Sequence, residues 1–181
     1  ARDLTPEDEI FIEKIRKYRE KIILVVNKVD TPEKENEIWN YYSYGFEKII
    51  PVSSAHGYNM DILEEQIVEF LENSASGFAE NSGSETGEQA VNLAILGKPN
   101  TGKSTLSNRL TGSDKSIVSD IPGTTRDIVE GEFLYKDVKF RVMDTAGIRR
   151  KSKVSENVEY YSVTRAIKAI DDVDLVFMVI D

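Results

Sequence analysis

The segment from Gly97 to Ser104 has the clearest chemistry in this sequence of 181 residues. It reads GKPNTGKS, fits the pattern GxxxxGK[ST], and directly follows an apolar run at Val91–Leu96. Its glycines let backbone N–H groups converge on a phosphate chain at a helix N-terminus, and Lys103 adds a positive charge at the β and γ phosphates. The alternative, a glycine turn with a solvated lysine, is disfavoured by the preceding strand. The residues assigned to the phosphates are Gly97, Asn100, Thr101, Gly102, Lys103, Ser104 and Thr105.

A second segment, Asn27-Lys28-Val29-Asp30, follows the apolar run Ile22–Val26. A carboxylate at Asp30 can accept two hydrogen bonds from guanine, one from N1–H and one from the 2-amino group. Adenine lacks this pair of donors, so the carboxylate would be left without partners, at a cost of about 1 to 3 kcal/mol. Asn27, Lys28 and Asp30 are therefore candidate guanine ligands, although an ordinary strand-to-turn Asn and Asp would give the same pattern.

The remaining candidate residues lie in three short loops. Ser54 and Ala55 follow a predicted strand and offer a small-residue backbone N–H that could reach guanine O6. Asp144 opens the segment DTAG, where it can hold a water molecule of Mg²⁺, and the Gly147 N–H can sense the γ phosphate. Thr125, in the segment PGTTRD, is preferred over Thr124 as a hydroxyl ligand of Mg²⁺. The predicted metal ligands are thus Ser104, Thr125 and Asp144, and the predicted catalytic residues are Lys103, Thr125, Gly147 and Asn100.

Alternating strands and helices position these loops, which predicts an α/β fold of three layers with a mostly parallel sheet of six strands. Thr5 and Pro6 open the first helix. The base-recognition segment precedes the phosphate segment, so the nucleotide motifs come in circularly permuted order. The predicted strands are Ile22–Val26, Lys48–Val52, Val91–Leu96, the hairpin Phe133–Tyr135 with Val138–Met143, and Leu175–Ile180; the further helices are Glu33–Tyr42, Asp61–Leu71 and Ser155–Ile170.

Composition divides the chain into three parts and excludes several classes of protein. Residues 72–90 hold four Glu, four Ser and three Gly but no Lys or Arg, which predicts a flexible acidic linker between partial domains at residues 1–71 and 91–181. The formal net charge of −9 disfavours direct nucleic-acid binding. No apolar run is long enough to span a membrane, no secretory signal is visible, and the absence of cysteine favours a reducing cytoplasm.

The motifs together resemble those of P-loop G proteins, and more narrowly the Der (EngA) family of bacterial ribosome-assembly GTPases, which have two tandem G domains. NKVD, SSAHG and ARDLTPEDE resemble the second half of the first G domain. GKPNTGKSTLSNRL, SDIPGTTRD and DTAGIRRKSKVSENVEYYSVTRAIKAI resemble the first half of the second. The resemblance implies GTP or GDP as ligand, a Ras-like sheet, Mg²⁺-dependent GTP hydrolysis, and a role in assembly of the large ribosomal subunit.

The resemblance also implies a potassium ion. Ras-like proteins place a water-orienting Gln directly after DTAG, whereas this sequence has Ile148, which cannot orient water by hydrogen bonding. Family members with a P-loop Asn, which Asn100 matches, use K⁺ near the transferred phosphate; a loop-stabilising amide is the alternative role. Two other functions stay open: a natively permuted ribosome-maturation GTPase of the RsgA or YlqF type, or a nucleotide-binding fragment without turnover.

Counting strands leads to an architectural prediction. Two strands precede the linker and four follow it, so neither part can complete a six-stranded sheet alone. We expect the two parts to form one G domain, within one chain or by exchange between two chains in a swapped dimer. Asp30 and Lys103 would then bind opposite ends of the same guanine nucleotide.

Overall fold

The computed structural model describes residues 6–78, 90–112, 129–136, 138–143 and 167–181. Residues 167–171 are also helical. The named elements, in chain order, are α1 (Pro6–Ile15), a 3₁₀ helix (Arg16–Lys21), β1 (Ile22–Val26), α2 (Pro32–Glu35), a second 3₁₀ helix (Asn36–Tyr44), β2 (Ile49–Pro51), α3 (Met60–Phe78), β3 (Ala90–Gly97), α4 (Lys103–Thr111), β4 (Val129–Tyr135), β5 (Val138–Met143) and β6 (Leu175–Ile180).

All six strands belong to one sheet with the order β2-β1-β6-β3-β5-β4. Every neighbouring pair is parallel except β4 and β5, which form the predicted antiparallel hairpin. Strand β6 lies between β1 and β3, so it joins the strands from the beginning of the chain to those that follow residue 90. The prediction of a mostly parallel α/β sheet is confirmed.

Each face of the sheet is covered by helices, because alternate side chains of the buried strands point to opposite sides. On one face, Ile15 of α1 and Ile170 pack against Leu24 and Met178. On the other face, Leu63 of α3 and Leu106 of α4 pack against strand residues that include Phe177. The molecule therefore has the three layers that the sequence predicted.

Several boundaries differ from the sequence prediction; strand β4, for example, begins at Val129 rather than at Phe133. The predicted helix Glu33–Tyr42 is a short α2 followed by a 3₁₀ helix, which buries Tyr41 in the core and leaves Trp39 68% exposed. Helix α3 continues past Leu71 to Phe78, so the first part of the predicted linker is helical. Strand β3 begins at Ala90, the last residue assigned to that linker.

Several predictions fall outside the described residues. These are the N-cap at Thr5, the central part of the linker at 79–89, the loops with Thr125, Asp144 and Gly147, and residues 155–166 of the last predicted helix. Within the described ranges, none of the helices combines the length and the apolar character needed to cross a bilayer.

Candidate nucleotide site

The candidate residues meet at one edge of the sheet because the carboxyl ends of its parallel strands lie together there. Asn27 follows β1, Ser53 follows β2 at a distance of two residues, the phosphate loop leaves β3 at Gly97, and Asp181 follows β6. The base-recognition segment and the phosphate segment, about seventy residues apart in the chain, are thus brought side by side by the strand order β1-β6-β3. This position is where open α/β sheets bind ligands.

The Asn27 side chain joins the two segments directly. Its amide is 3% exposed, and Nδ2 donates a hydrogen bond to the Thr101 carbonyl oxygen at 2.8 Å. Its Oδ1 accepts hydrogen bonds from the backbone N–H of Ser54 at 3.0 Å and from the Ser54 hydroxyl at 2.9 Å. Asn27 was predicted as a nucleotide ligand, but its side-chain amide hydrogen-bonds to the phosphate loop and to the Ser54 loop and so holds the two loops together.

Two glycines make the phosphate loop possible. Gly97 has φ +148°, and a Cβ there would lie 2.2 Å from the carbonyl oxygen of Val179 in β6. Gly102, the residue before α4, has φ +92°, and its Cβ would lie 2.1 Å from Nδ2 of Asn27. Both positions exclude any larger residue, since one would collide with a neighbouring strand and the other with the amide that ties the site.

The backbone between these glycines is shaped for an anion. Asn100 adopts the left-handed conformation with φ +68°, and the buried Thr101 hydroxyl donates to the Lys98 carbonyl oxygen at 3.0 Å. Helix α4 then starts at Lys103, so its N-terminal N–H groups, with their partial positive charge, directly follow the loop. Ser104 and Thr105 are exposed in the first turn of this helix, where their hydroxyls are accessible to a ligand.

Two ammonium groups approach the same loop. Lys103 Nζ donates to the carbonyl oxygen of Lys98 across the loop. Lys28 Nζ donates to the carbonyl oxygen of Asn100 at 2.7 Å and pairs with the carboxylate of Asp181. The Lys103 ammonium in the first turn of α4 favours an anion such as a phosphate, whereas the charge of Lys28 is offset by Asp181.

The Asp30 carboxylate is exposed at the same edge and already has defined partners. It accepts a hydrogen bond from the Ser53 hydroxyl at 2.7 Å, and Lys34 Nζ and His56 Nε2 lie 3.6 Å and 3.9 Å from its oxygens. The pKa of Asp30 is lowered from its ordinary value of 3.8, mainly by the hydrogen bond from the Ser53 hydroxyl and further by Lys34 and by the nearby His56 ring. The carboxylate is therefore held in the ionised form that acceptance of two N–H donors requires.

The residues with roles at the site that were not predicted include Arg109, Asp181 and Ser53, the hydrogen-bond partner of Asp30. Arg109 of α4 donates to the carbonyl oxygens of Ser54 and Ala55, and Asp181 pairs with Lys28. An acidic residue at the end of β6, on the shared sheet edge, was a visible signal for Asp181. Nothing in the local sequence pattern distinguishes Arg109 from an exposed helix residue.

Comparison with known proteins gives one family and one set of relatives. Residues 92–181 match the model of the 50S ribosome-binding GTPase family. GTPase Der of Halothermothrix orenii is 45% identical over 98% of this chain and 39% of its own length. GTPase Der of Borreliella burgdorferi is 46% identical over 97% of this chain and 38% of its own length. The chain thus spans about two fifths of the curated relatives it matches.

A solved structure, the G domain of the T. maritima FeoB iron transporter, is 29% identical over 50% of this chain and 55% of that one, with a TM-score of 0.31.

Proposed function

We propose that this chain, whose sequence is similar to GTPase Der over nearly its whole length, binds a guanine nucleotide and hydrolyses GTP. The observation that supports this most strongly is the Asn27 amide, which links the phosphate loop at Thr101 to the base loop at Ser54. A nucleotide needs both loops at once, since its base and its phosphates are held by different segments of the chain. The charge pattern agrees, with cations at the phosphate loop and an exposed carboxylate at Asp30.

Each described residue has a defined part in this proposal. Asp30 accepts the guanine N1–H and 2-amino hydrogens, and the N–H of Ala55 faces O6, because the Ser54 N–H is already bonded to Asn27. The loop from Gly97 to Gly102 and the first turn of α4 hold the phosphates by their N–H groups. Lys103 leaves the Lys98 carbonyl and stabilises the charge that develops on the transferred phosphate.

The metal ions belong to the proposal as well. Ser104, which is exposed in the first turn of α4, is the proposed hydroxyl ligand of Mg²⁺, with Thr125 and Asp144 assigned from the sequence, and Gly147 assigned to the γ phosphate. Bound Mg²⁺ would neutralise charge on the phosphates during transfer. The left-handed turn at Asn100 leaves its side chain exposed beside the loop, which supports the proposed K⁺ ligand.

Phosphate release measured with GTP and with ATP, in Mg²⁺ with either K⁺ or Na⁺ at equal ionic strength, tests this function. We expect turnover of GTP only, with a higher rate in K⁺, and loss of the K⁺ preference in Asn100→Ala. Binding of GDP without phosphate release would instead favour a nucleotide-binding unit without turnover. Equal rates in both salts would remove Asn100 from the mechanism, and equal use of ATP would remove the guanine assignment.

The biological partner is proposed from the family alone. The matched family is described as ribosome-binding, and its model covers residues 92–181. We propose the large ribosomal subunit as partner and the cytoplasm as location. Cosedimentation with purified 50S subunits in the presence of a non-hydrolysable GTP analogue, compared with GDP, measures this; equal sedimentation with and without subunits would contradict it.

A further inference from the structure

The Arg109 guanidinium lies between the phosphate-loop helix and the base loop. It projects from α4, whose Leu106 and Leu110 are buried against the sheet, so the backbone that carries it is fixed. Its Nε donates to the Ser54 carbonyl oxygen at 3.0 Å, and its Nη2 donates to the Ala55 carbonyl oxygen at 2.9 Å. The planar guanidinium group of Arg109 thus donates hydrogen bonds to two consecutive backbone carbonyl groups.

These contacts fix the direction in which the loop's N–H groups point. In a planar trans peptide the carbonyl oxygen and the N–H of the next residue point in opposite directions. Because Arg109 draws the Ser54 carbonyl towards α4, the N–H of Ala55 in the same peptide group must point away from α4. The following peptide is held in the same way, and its N–H, that of His56, donates to the Ser53 carbonyl oxygen at 3.2 Å.

Neighbouring residues of the Ser54 loop leave room for the Arg109 guanidinium. A Cβ at Gly57 would lie 3.3 Å from Nη2 of Arg109, so a side chain at that position would press against the guanidinium. On the opposite side, the Ser54 N–H is held by Asn27. Asn27 thus holds the N–H group of Ser54, and Arg109 holds the carbonyl group of Ser54. The peptide group between Ser54 and Ala55 is therefore constrained from both sides.

We propose that Arg109 is a positioning residue for guanine recognition, which aims the Ala55 N–H at O6 of the base from the helix that holds the phosphates. This rests on the proposed function, because it assumes that guanine lies at this loop. Arg109 does not itself touch the nucleotide. It acts through the orientation of one peptide group, and it connects recognition of the base to the helix that follows the phosphate loop.

The test measures Kd for GDP, 6-thio-GDP and IDP in the parent, Arg109→Met and Arg109→Lys. Sulfur at position 6 accepts hydrogen bonds poorly, so the ratio of GDP to 6-thio-GDP affinity reports the O6 contact. IDP lacks only the 2-amino group, so the ratio of GDP to IDP affinity reports the Asp30 contact. Arg141→Met, on β5, is the control, because it removes a guanidinium whose hydrogen-bond partner is Glu132 rather than the base loop.

We expect Arg109→Met to weaken GDP binding by up to about 10-fold, the scale of the one neutral hydrogen bond from the Ala55 N–H to O6. The advantage of GDP over 6-thio-GDP should shrink towards unity, while the advantage over IDP stays as in the parent. Arg109→Lys, which can still reach one carbonyl, should restore part of the 6-thio-GDP discrimination, and Arg141→Met should change neither ratio.

Equal weakening of all three nucleotides in Arg109→Met would overturn the inference, because a merely structural brace affects them alike. If Arg109→Met does not fold, Arg109→Lys provides the test: a ratio of GDP affinity to 6-thio-GDP affinity equal to that of the parent would also contradict the inference. Failure of the proposed function has a separate sign: the parent would then bind GDP no better than ADP.

Discussion

At the scale of single residues, the candidate site depends on side chains that hydrogen-bond to the loops and hold them in place. Asn27 is buried and uses its whole amide on Thr101 and Ser54. Arg109 does the same for the carbonyl groups of the Ser54 loop. By contrast, Asp30 is exposed, and its partners leave carboxylate lone pairs for a ligand. In the proposed function, the loops are positioned by one set of residues and the base is recognised by another, so mutations can separate the two roles.

Asp30→Asn should change which nucleotide is preferred. The amide keeps one acceptor but replaces the other with a donor, so it opposes one guanine hydrogen and suits the carbonyl at C2 of xanthine. We expect GDP binding to weaken about 10- to 100-fold and XDP binding to improve. Isothermal titration with both nucleotides measures this, with Asp171→Asn, an exposed acid elsewhere, as control. Unchanged GDP affinity would show that Asp30 does not contact the base.

Ser53→Ala should raise the pKa of Asp30 towards its ordinary value of 3.8. The Ser53 hydroxyl is the main cause of the lowered pKa, because its hydrogen bond favours the charged carboxylate. A carboxyl group whose pKa is lower in the folded than in the unfolded state stabilises the fold at pH values above its unfolded-state pKa. This stabilisation is lost as the pH falls through the folded-state pKa. The variant therefore loses this contribution at neutral pH and not in strong acid.

Carboxyl ¹³C shifts followed through an acid titration by NMR measure this change. Glu33 serves as an internal control, since its pKa is lowered mainly by the Thr31 hydroxyl, which the variant keeps. A pKa of Asp30 that stays where it was in the parent would rule out the Ser53 hydrogen bond as the cause.

At the scale of elements, the phosphate loop depends on how closely β3 approaches β6. Gly97 pairs with Val179 in the parallel ladder, and the Val179 carbonyl oxygen occupies the space that a Cβ would need. We expect Gly97→Ala to destabilise the fold by about 3 kcal/mol and to weaken nucleotide binding, because the backbone of one strand has to move.

Urea unfolding compares this variant with Gly131→Ala. A Cβ at Gly131 would approach the methyl group of Thr111 at 2.8 Å, a side chain that can move at the expense of its hydrogen bond to the Ser107 carbonyl oxygen. We therefore expect Gly131→Ala to destabilise the fold less than Gly97→Ala, because no strand backbone has to move. Equal costs for the two variants would mean that the β3–β6 contact is not the reason for glycine at position 97.

The sequence predicted elements well where burial was uniform and poorly where it was not. Strands β1 and β6 begin and end where predicted, because each is a continuous apolar run buried on both faces of the sheet. The sequence predicted one helix over Glu33–Tyr42, but the chain forms a short α2 and a 3₁₀ helix, which buries Tyr41 and leaves Trp39 exposed and stacked on Tyr42. The proposed nucleotide ligands were readable as motifs, whereas Arg109 was not, because the sheet brings it to its partners only in the folded chain.

At the scale of the whole molecule, one sheet contains strands from both sides of the predicted linker. Strand β6 pairs with β1 over five residues and with β3 over five residues, so it forms the centre of the structure. The core on the α3 and α4 face includes Ile23 from β1 and Val142 from β5 in one cluster. Stability should therefore be shared across the chain rather than divided between two partial domains.

The last prediction tests this sharing by hydrogen exchange in Val142→Ala. Val142 is fully buried in β5, three strands away from β1, and its truncation should cost about 2 kcal/mol. If the sheet is one cooperative unit, amides of β1 and β2 lose protection by the same free energy as those of β6, about 30-fold in exchange rate. Mass spectrometry of peptides covering residues 22–26, 49–51 and 175–180 measures this. Unchanged protection in the first two peptides would mean two separate units, and protection that rises with protein concentration would mean exchange of strands between two chains.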